Sequence, residues 1–262
     1  LAAGNSVVVK PPEIASLALL RVAELAAEAG LPEGVLNVVT GKGSVAGEAL
    51  GLHMEVDAIA FTGSGMVGRR LLDYAARSNL KRVYLELGGK SPNIVFADAP
   101  DLKQAAKVSA NGIFRNSGQV CVAGSRLLVQ SSVYDRFMAE LLDATGKLKV
   151  GDPLDIRSDV GAISSADQLE KDLGFVGQAE QEGAKRLTGG TRIRQETGGY
   201  YMAPTVFENV TPDMTLAKEE VFGPVLAVMR FDTEEEAVRL ANDTAFGLSA
   251  AVIGDEDKAI AV

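Results

Sequence analysis

The sequence predicts an α/β fold made of two successive units, each pairing parallel strands with crossover helices. Three features carry that prediction. Through about the first 90 residues, short apolar runs alternate with amphipathic segments, as a parallel sheet with crossover helices requires. Glycine-rich turns stand where strands pass into helices. From Gly88 the same alternation starts again, with no internal repeat and no low-complexity linker between, so a two-domain seam within one compact body is expected there.

In chain order, residues 6–9 read as a strand and 16–29 as a helix closed by Gly30 and Pro32. Residues 36–39 form a second strand, followed by Gly41-Lys42-Gly43 and a short helix from about Ser44. A third strand, 58–61, meets Thr62-Gly63-Ser64-Gly65 and a helix over 66–76, and a fourth, 81–85, delivers Glu86 to its end. Ligands of open α/β sheets bind beyond the carboxyl ends of strands, where Lys10, Gly41, Gly63 and Glu86 all fall. In the second unit, 93–96 is strand-like, 102–114 a helix and 126–130 a strand. Tyr134, Phe137, Met138, Leu141, Leu142 and Leu148 give one apolar helix face. Residues 198–201 and 204–206 frame extended segments, and 225–231 is a strand. Thr233 with Glu236 makes a capping box for a helix through Ala241, and 248–253 is the last strand.

Composition limits the function classes. At 262 residues, 47% hydrophobic and 23% charged, the chain can bury a substantial core. A net charge of −9 argues against a nucleic-acid surface. No apolar run approaches the roughly 18 residues of a membrane helix, and no signal peptide is visible. One cysteine cannot form an internal disulfide, which fits a reducing compartment or a protein indifferent to oxidation; a cytoplasmic location is expected. No His/Cys cluster exists to hold a metal. Beginning at Leu1 inside structured sequence and stopping at Val262 as a helix starts, the span reads as truncated at both ends.

The chemistry concentrates between Glu86 and Cys121. Glu86-Leu87-Gly88-Gly89-Lys90-Ser91-Pro92-Asn93 opens the stretch and Asn116-Ser117-Gly118-Gln119-Val120-Cys121 closes it. A lone cysteine is most often a small apolar filler. As a nucleophile it needs a base or a field favouring thiolate. The single histidine, His53, lies in an ordinary stretch, which makes Glu86 the first candidate for a base. Gly63-Ser64-Gly65-Met66-Val67-Gly68 also spells G-x-G-x-x-G, with Glu86 18 residues past its last glycine. That pattern offers a different role for Glu86, on the adenosine ribose of a dinucleotide.

Five stretches then spell out a family. Gly4-Asn5-Ser6-Val7-Val8-Val9-Lys10-Pro11-Pro12-Glu13, Phe61-Thr62-Gly63-Ser64, Glu86-Leu87-Gly88-Gly89-Lys90-Ser91-Pro92, Gly118-Gln119-Val120-Cys121 and Glu219-Glu220-Val221-Phe222-Gly223-Pro224-Val225 occur in family order. The chain closely resembles the NAD(P)-dependent aldehyde dehydrogenases. The resemblance implies an aldehyde-dehydrogenase-like fold: a Rossmann-type cofactor domain over 1–88 and an α/β catalytic domain over 89–262. It makes Cys121 the nucleophile and Glu86 the general base. Lys10 and Glu13 inherit the adenosine ribose, and Gly63-Ser64 the pyrophosphate turn. Glu220 would hold the nicotinamide ribose with Phe222 packing nearby. Gly43, Phe61, Leu87 and Gly88 complete the implied cofactor set. The position of Gly65 varies in the family, so the literal G-x-G-x-x-G match is incidental.

The implied reaction is oxidation of a small aldehyde to a carboxylic acid through a thiohemiacetal and a thioester on Cys121, with NAD as cofactor and NADP also possible. Glu13 favours NAD, because a carboxylate repels a 2′-phosphate. For Glu86 to act as a base near neutral pH, partial burial should raise it from about 4.3. The oxyanion would be met by the Cys121 N–H and by a second donor, an asparagine amide, outside this span. A homodimer or homotetramer is implied for the full-length protein, while this span alone is expected to turn over poorly. Two rivals keep the fold: CoA acylation, against which Glu86 speaks, and a catalytically silent protein. A third is a generic Rossmann hydride-transfer enzyme with Glu86 on the ribose. Amino- or acylamino-aldehydes are the substrate class the overall resemblance suggests.

Overall fold

In the computed structural model, which describes residues 1–261, the first unit, Leu1–Leu87, alternates four short strands with three helices. These are β1 (Val7–Val9), α1 (Leu17–Glu28), β2 (Leu36–Val38), α2 (Glu48–Leu52), β3 (Ala58–Thr62), α3 (Gly65–Ala76) and β4 (Arg82–Glu86). The strands pair in parallel, Val7 opposite Leu36 and Ala58 opposite Arg82. They form two separate two-stranded ladders, not the single sheet the alternation implied. No further strand among the described residues pairs with either ladder.

Local chemistry sets these elements. Gly30, at φ +89°, follows the end of α1 in a conformation that disfavours other residues. Ser64 caps α3 by accepting from the Val67 N–H at 3.4 Å. The short helix expected from Ser44 instead enters through a π turn, Gly43–Gly47, before α2. β4 alternates strictly, with Val83 and Leu85 half-buried and Arg82, Tyr84 and Glu86 exposed. The partial burial expected of Glu86 is therefore absent, because the pleat turns it outward with Arg82 and Tyr84.

The second unit, Gly88–Val262, holds the larger core. The domain span expected there ends on Val262, which lies outside the described residues. Its elements are β5 (Pro92–Val95), α4 (Leu102–Phe114), β6 (Arg126–Gln130), α5 (Tyr134–Gly146), α6 (Ala166–Gln181), β7 (Lys185–Thr188), β8 (Arg192–Ile193), β9 (Tyr201–Met202), β10 (Thr205–Glu208), α7 (Thr215–Lys218), β11 (Val225–Phe231), α8 (Glu234–Asn242), β12 (Ala251–Ile253) and α9 (Glu256–Ala261). Six strands form one sheet in the order β12-β5-β6-β11-β10-β7, parallel except for β7 at one edge. β8 and β9 make a small antiparallel pair.

The central strands are apolar on both faces, as a parallel sheet covered by helices on both sides demands. Leu127, Val129, Leu226 and Val228 pack with Ala106, Phe114, Phe137 and Leu141 of α4 and α5. Leu128, Val225, Ala227, Met229 and Phe231 pack on the other face with Leu169, Val176, Leu216 and Leu240 of α6, α7 and α8. Each of these valine, leucine, methionine and phenylalanine side chains, fully buried, contributes roughly 1.5–3 kcal/mol before its ordering entropy is counted. Three helix starts are fixed by side-chain caps: Asp101 accepts from Gln104 N at 3.0 Å, Ser165 from Gln168 N at 3.2 Å and Thr233 from Glu236 N at 3.2 Å. The Glu236 carboxylate reaches back to the Asp232 N–H at 2.9 Å, one residue before the cap.

Several sequence-read segments are trimmed. The last strand begins at Ala251 rather than 248, and Gly198–Tyr200 is a turn ahead of β9. Leu148 lies beyond the end of α5, half-buried against the α4/α5 cluster.

Candidate active site

In the second unit the sequence-predicted residues come together at the amino ends of three adjacent strands. Gly88 to Ser91 lead into β5, Cys121 to Ser125 into β6, and Glu219 to Pro224 into β11. Pro92 pairs with Arg126 and Arg126 with Ala227, so the three entry loops emerge side by side. Cys121 sits half-buried in a turn closed by Ala123 N–H donating to Val120 O at 3.0 Å. That bond does not use the Cys121 N–H.

The preceding segment holds the cysteine in place through unusual backbone. Asn116 and Ser117 are left-handed, at φ 52° and 58°. The Asn116 amide donates to Gln119 O at 3.0 Å, the Ser117 hydroxyl to Gly161 O at 2.8 Å, and Gln119 Oε1 accepts from Ser164 N at 3.1 Å. These bonds pin residues that would otherwise cost about 1–3 kcal/mol each to keep in that region.

The glycine pair after Leu87 is required by close approach. A Cβ on Gly88 would overlap the Glu220 carboxylate, and one on Gly89 would overlap the carbonyl oxygen of Cys121. The Gly89 N–H donates to Glu220 Oε1 at 3.0 Å. Glu220 is half-buried, and Phe222, left-handed at φ 62°, is exposed. A bulky residue at positive φ is a genuine strain and marks this turn for attention.

Sequence reasoning gave no role to the groups beneath these loops. Lys90 is 1% exposed, and its amine finds no hydrogen-bond partner among the described residues. Burial pushes it down to about 7; Arg126 adds to this and Glu220 and Glu219 oppose it. The Arg126 guanidinium, also buried, donates to Lys90 O at 2.8 Å, Leu240 O at 2.8 Å and Ala241 O at 2.7 Å. It thus ties the β5 entry to the last carbonyls of α8. A cavity of about 500 Å³ opens beside Lys90 and Ser91, walled by Asn242, Thr244, Phe246 and Leu248.

The first unit gathers the remaining predicted residues into two groups. In one, Glu13 Oε1 accepts from Gly43 N at 2.8 Å, while the Lys10 amine donates to Pro11 O at 2.7 Å and Gly41 O at 3.3 Å. In the other, Gly63 N donates to Glu86 O at 3.0 Å, and the Phe61 ring lies where a Gly63 Cβ would be. Gly68 packs on Leu85 and Leu87, whereas a Cβ on Gly65 would meet only Arg69, at 3.7 Å.

This donor set fits a dinucleotide. The first-turn N–H groups of α3, at Gly65 and Met66, have no carbonyl of their own helix to bond and suit a phosphate. Glu13 Oε2 and the third N–H of Lys10 suit ribose hydroxyls.

The chain belongs to the aldehyde dehydrogenase family, whose model matches residues 1–262. It shares that family's α/β fold. The NADP/NAD-dependent aldehyde dehydrogenase PuuC of Escherichia coli is 50% identical over 252 residues, 96% of this chain and 50% of that protein. A crystal structure of indole-3-acetaldehyde dehydrogenase with NAD+ is 52% identical with a TM-score of 0.97, covering 98% of this chain and 52% of its own. The γ-glutamyl-γ-aminobutyraldehyde dehydrogenase of Burkholderia cenocepacia is 53% identical with a TM-score of 0.94, covering 97% and 51%. The chain therefore spans about half the length of the relatives it matches.

Proposed function

We propose that the full-length protein oxidises an aldehyde to a carboxylic acid, with Cys121 as nucleophile and Glu86 as general base. The observation that carries this reading is the meeting of Cys121, the Gly88-Gly89 pair and Glu220 at one sheet edge, in a chain of this family. The first unit serves as the later part of the cofactor domain and the second as the nucleophile-bearing domain. Lys10 and Glu13 hold the adenosine ribose, the Gly63-Ser64 turn the pyrophosphate, and Glu220 the nicotinamide ribose. Gly43, Phe61, Leu87, Gly88 and Phe222 shape the surrounding walls. NAD is the favoured cofactor because the Glu13 carboxylate repels a 2′-phosphate; the NAD+ complex of one relative and the dual cofactor use in the name of another support this range.

The thiolate of Cys121 adds to the carbonyl carbon, and the N–H of Cys121 meets the oxyanion that forms. The bound nicotinamide ring supplies the hydride acceptor. With hydride gone, the acyl group stays on Sγ as a thioester. Glu86 takes a proton from water, whose oxygen attacks the thioester carbon; Sγ departs and the carboxylic acid is released. The substrate class is a small acylamino- or amino-aldehyde, as the name of the Burkholderia relative suggests. The working form is a cytoplasmic homo-oligomer.

The test uses the full-length protein with NAD+ and a panel of aldehydes, followed by NADH absorbance. Wild type should turn over, Cys121→Ala should be inactive, and Glu86→Gln should release one burst of NADH and then stall. Activity in Cys121→Ala equal to wild type would sink the assignment of the nucleophile. If Glu86→Gln lost cofactor affinity but still hydrolysed thioester, Glu86 would belong on the ribose.

A further inference from the structure

The turn that carries Glu220 and Phe222 is held from below by α6. Gln168 Nε2 donates to Val221 O at 3.0 Å and Phe222 O at 3.3 Å, and the Lys171 amine to Glu220 O at 3.4 Å. One residue beyond Lys171, the Asp172 carboxyl accepts from the same Gln168 amide, Oδ1 at 2.7 Å. Gly223 lies directly on that carboxyl, so close that a Cβ there would overlap both oxygens.

Asp172 is out of place by its burial. It is 0% exposed on the stripe of α6 that otherwise carries Leu169, Val176 and Ala179. An apolar side chain would fill that site without the cost of burying a carboxyl. Its Oδ2 finds no partner among the described residues, and burial pushes the group up to about 7, against the Gln168 hydrogen bond and the Lys171 charge. What the acid contributes in return is an acceptor. By taking one N–H of the Gln168 amide, it fixes the orientation in which the other N–H reaches the turn.

We propose that Asp172 is a positioning residue for cofactor binding, acting through Gln168 to hold the Val221–Gly223 turn and with it the Glu220 carboxylate. This rests on the reading of Glu220 as the ligand of the nicotinamide ribose. The Gly89 N–H fixes one Glu220 oxygen from the β5 side, and the Gln168–Asp172 pair fixes its backbone from the α6 side. Removing the acceptor while keeping the volume frees the amide to rotate, and the turn relaxes from the strained Phe222 conformation.

The experiment compares wild type, Asp172→Leu, Asp172→Asn and Glu220→Ala in the full-length protein, reading NAD+ affinity by titration and kcat and KM by turnover. Asp172→Leu should raise the Kd and KM for NAD+ about tenfold with kcat within threefold of wild type. Asp172→Asn, which keeps a carbonyl acceptor for Gln168, should restore wild-type values. Unchanged NAD+ affinity in Asp172→Leu would overturn the proposal, as would an Asp172→Asn variant no better than the leucine. Should Asp172→Leu fail to fold, Gln168→Met takes its place, and an unaltered KM for NAD+ there overturns the proposal equally. Failure of the underlying reading looks different: Glu220→Ala would then bind NAD+ as tightly as wild type.

Discussion

The Gly89 Cα lies against the Cys121 carbonyl while the Gly89 N–H holds Glu220, so this one residue fixes the candidate nucleophile and a candidate cofactor ligand. Gly89→Ala must push the cysteine turn away. Displacing a reacting atom by about 1 Å costs on the order of 10²-fold in rate, and that fall in kcat is expected together with a lowered unfolding temperature, because the atom in the way is a backbone carbonyl and not the end of a movable side chain. Steady-state turnover and stopped-flow rates of NADH formation in the full-length protein would check it. Asp172 gives a prediction on stability. Its carboxyl titrates at about 7 in the fold, against about 3.9 in an unfolded chain. Below about pH 4 both states hold the proton; between about 4 and 7 only the native state does, so this group erodes stability as pH rises through that window and then by a constant amount above it. The gain in urea midpoint from Asp172→Asn should accordingly grow across that range and level off beyond it. A gain independent of pH would show that the acid is not neutral in the native state. Cys121, Glu86 and Glu220 could be named from sequence because they stand in motifs. Lys90 and Asp172 could not be weighed, because burial of a charged group is a tertiary fact; the one available signal was an acid on the apolar stripe of a helix.

Among the elements, legibility followed the strength of the local pattern. α4 coincides with residues 102–114 because its apolar residues recur at helical spacing after the Asp101 cap, and β6 and β11 coincide with 126–130 and 225–231 because short apolar runs bounded by turns leave little choice. α6 escaped notice. Gly174 and Gly177 interrupt it, Asp172 breaks its stripe, and its polar residues blur the 3.6-residue period, although Ser165 with Gln168 three residues later was a readable start. The helix that holds the Phe222 turn was thus one that the sequence concealed. Arg126 belongs to this scale as well, since it ties β6 to the β5 entry and to the end of α8. Arg126→Met should leave three carbonyls without that donor and cost about 2–4 kcal/mol, read as a lowered urea midpoint with an unchanged m-value. A loss below about 0.5 kcal/mol would mean that other donors replace it.

At the scale of the molecule, the α/β class followed from the alternation of apolar runs with amphipathic segments and the family from five motifs in order, whereas the strand pairing of the first unit did not. Period and turn chemistry locate strands but do not say which strands are neighbours, and β1–β2 and β3–β4 stand as separate ladders. In the second unit the groups of interest stand on the loops entering β5, β6 and β11, at the opposite end of the strands from the edge expected to matter in the first unit. Neighbouring strands lie about 4.8 Å apart, so the three entry points form a ruler fixed by the backbone ladder. The leucines and valines packed on these strands thereby set the spacing between a sulfur and a carboxylate. A two-residue slip of one strand would keep every apolar side chain on its proper face and yet carry its loop about 6.6 Å along the strand axis. Hydrophobic register therefore aligns the two candidate groups in this protein, and a core packed to permit only one register guards their spacing as well as the fold.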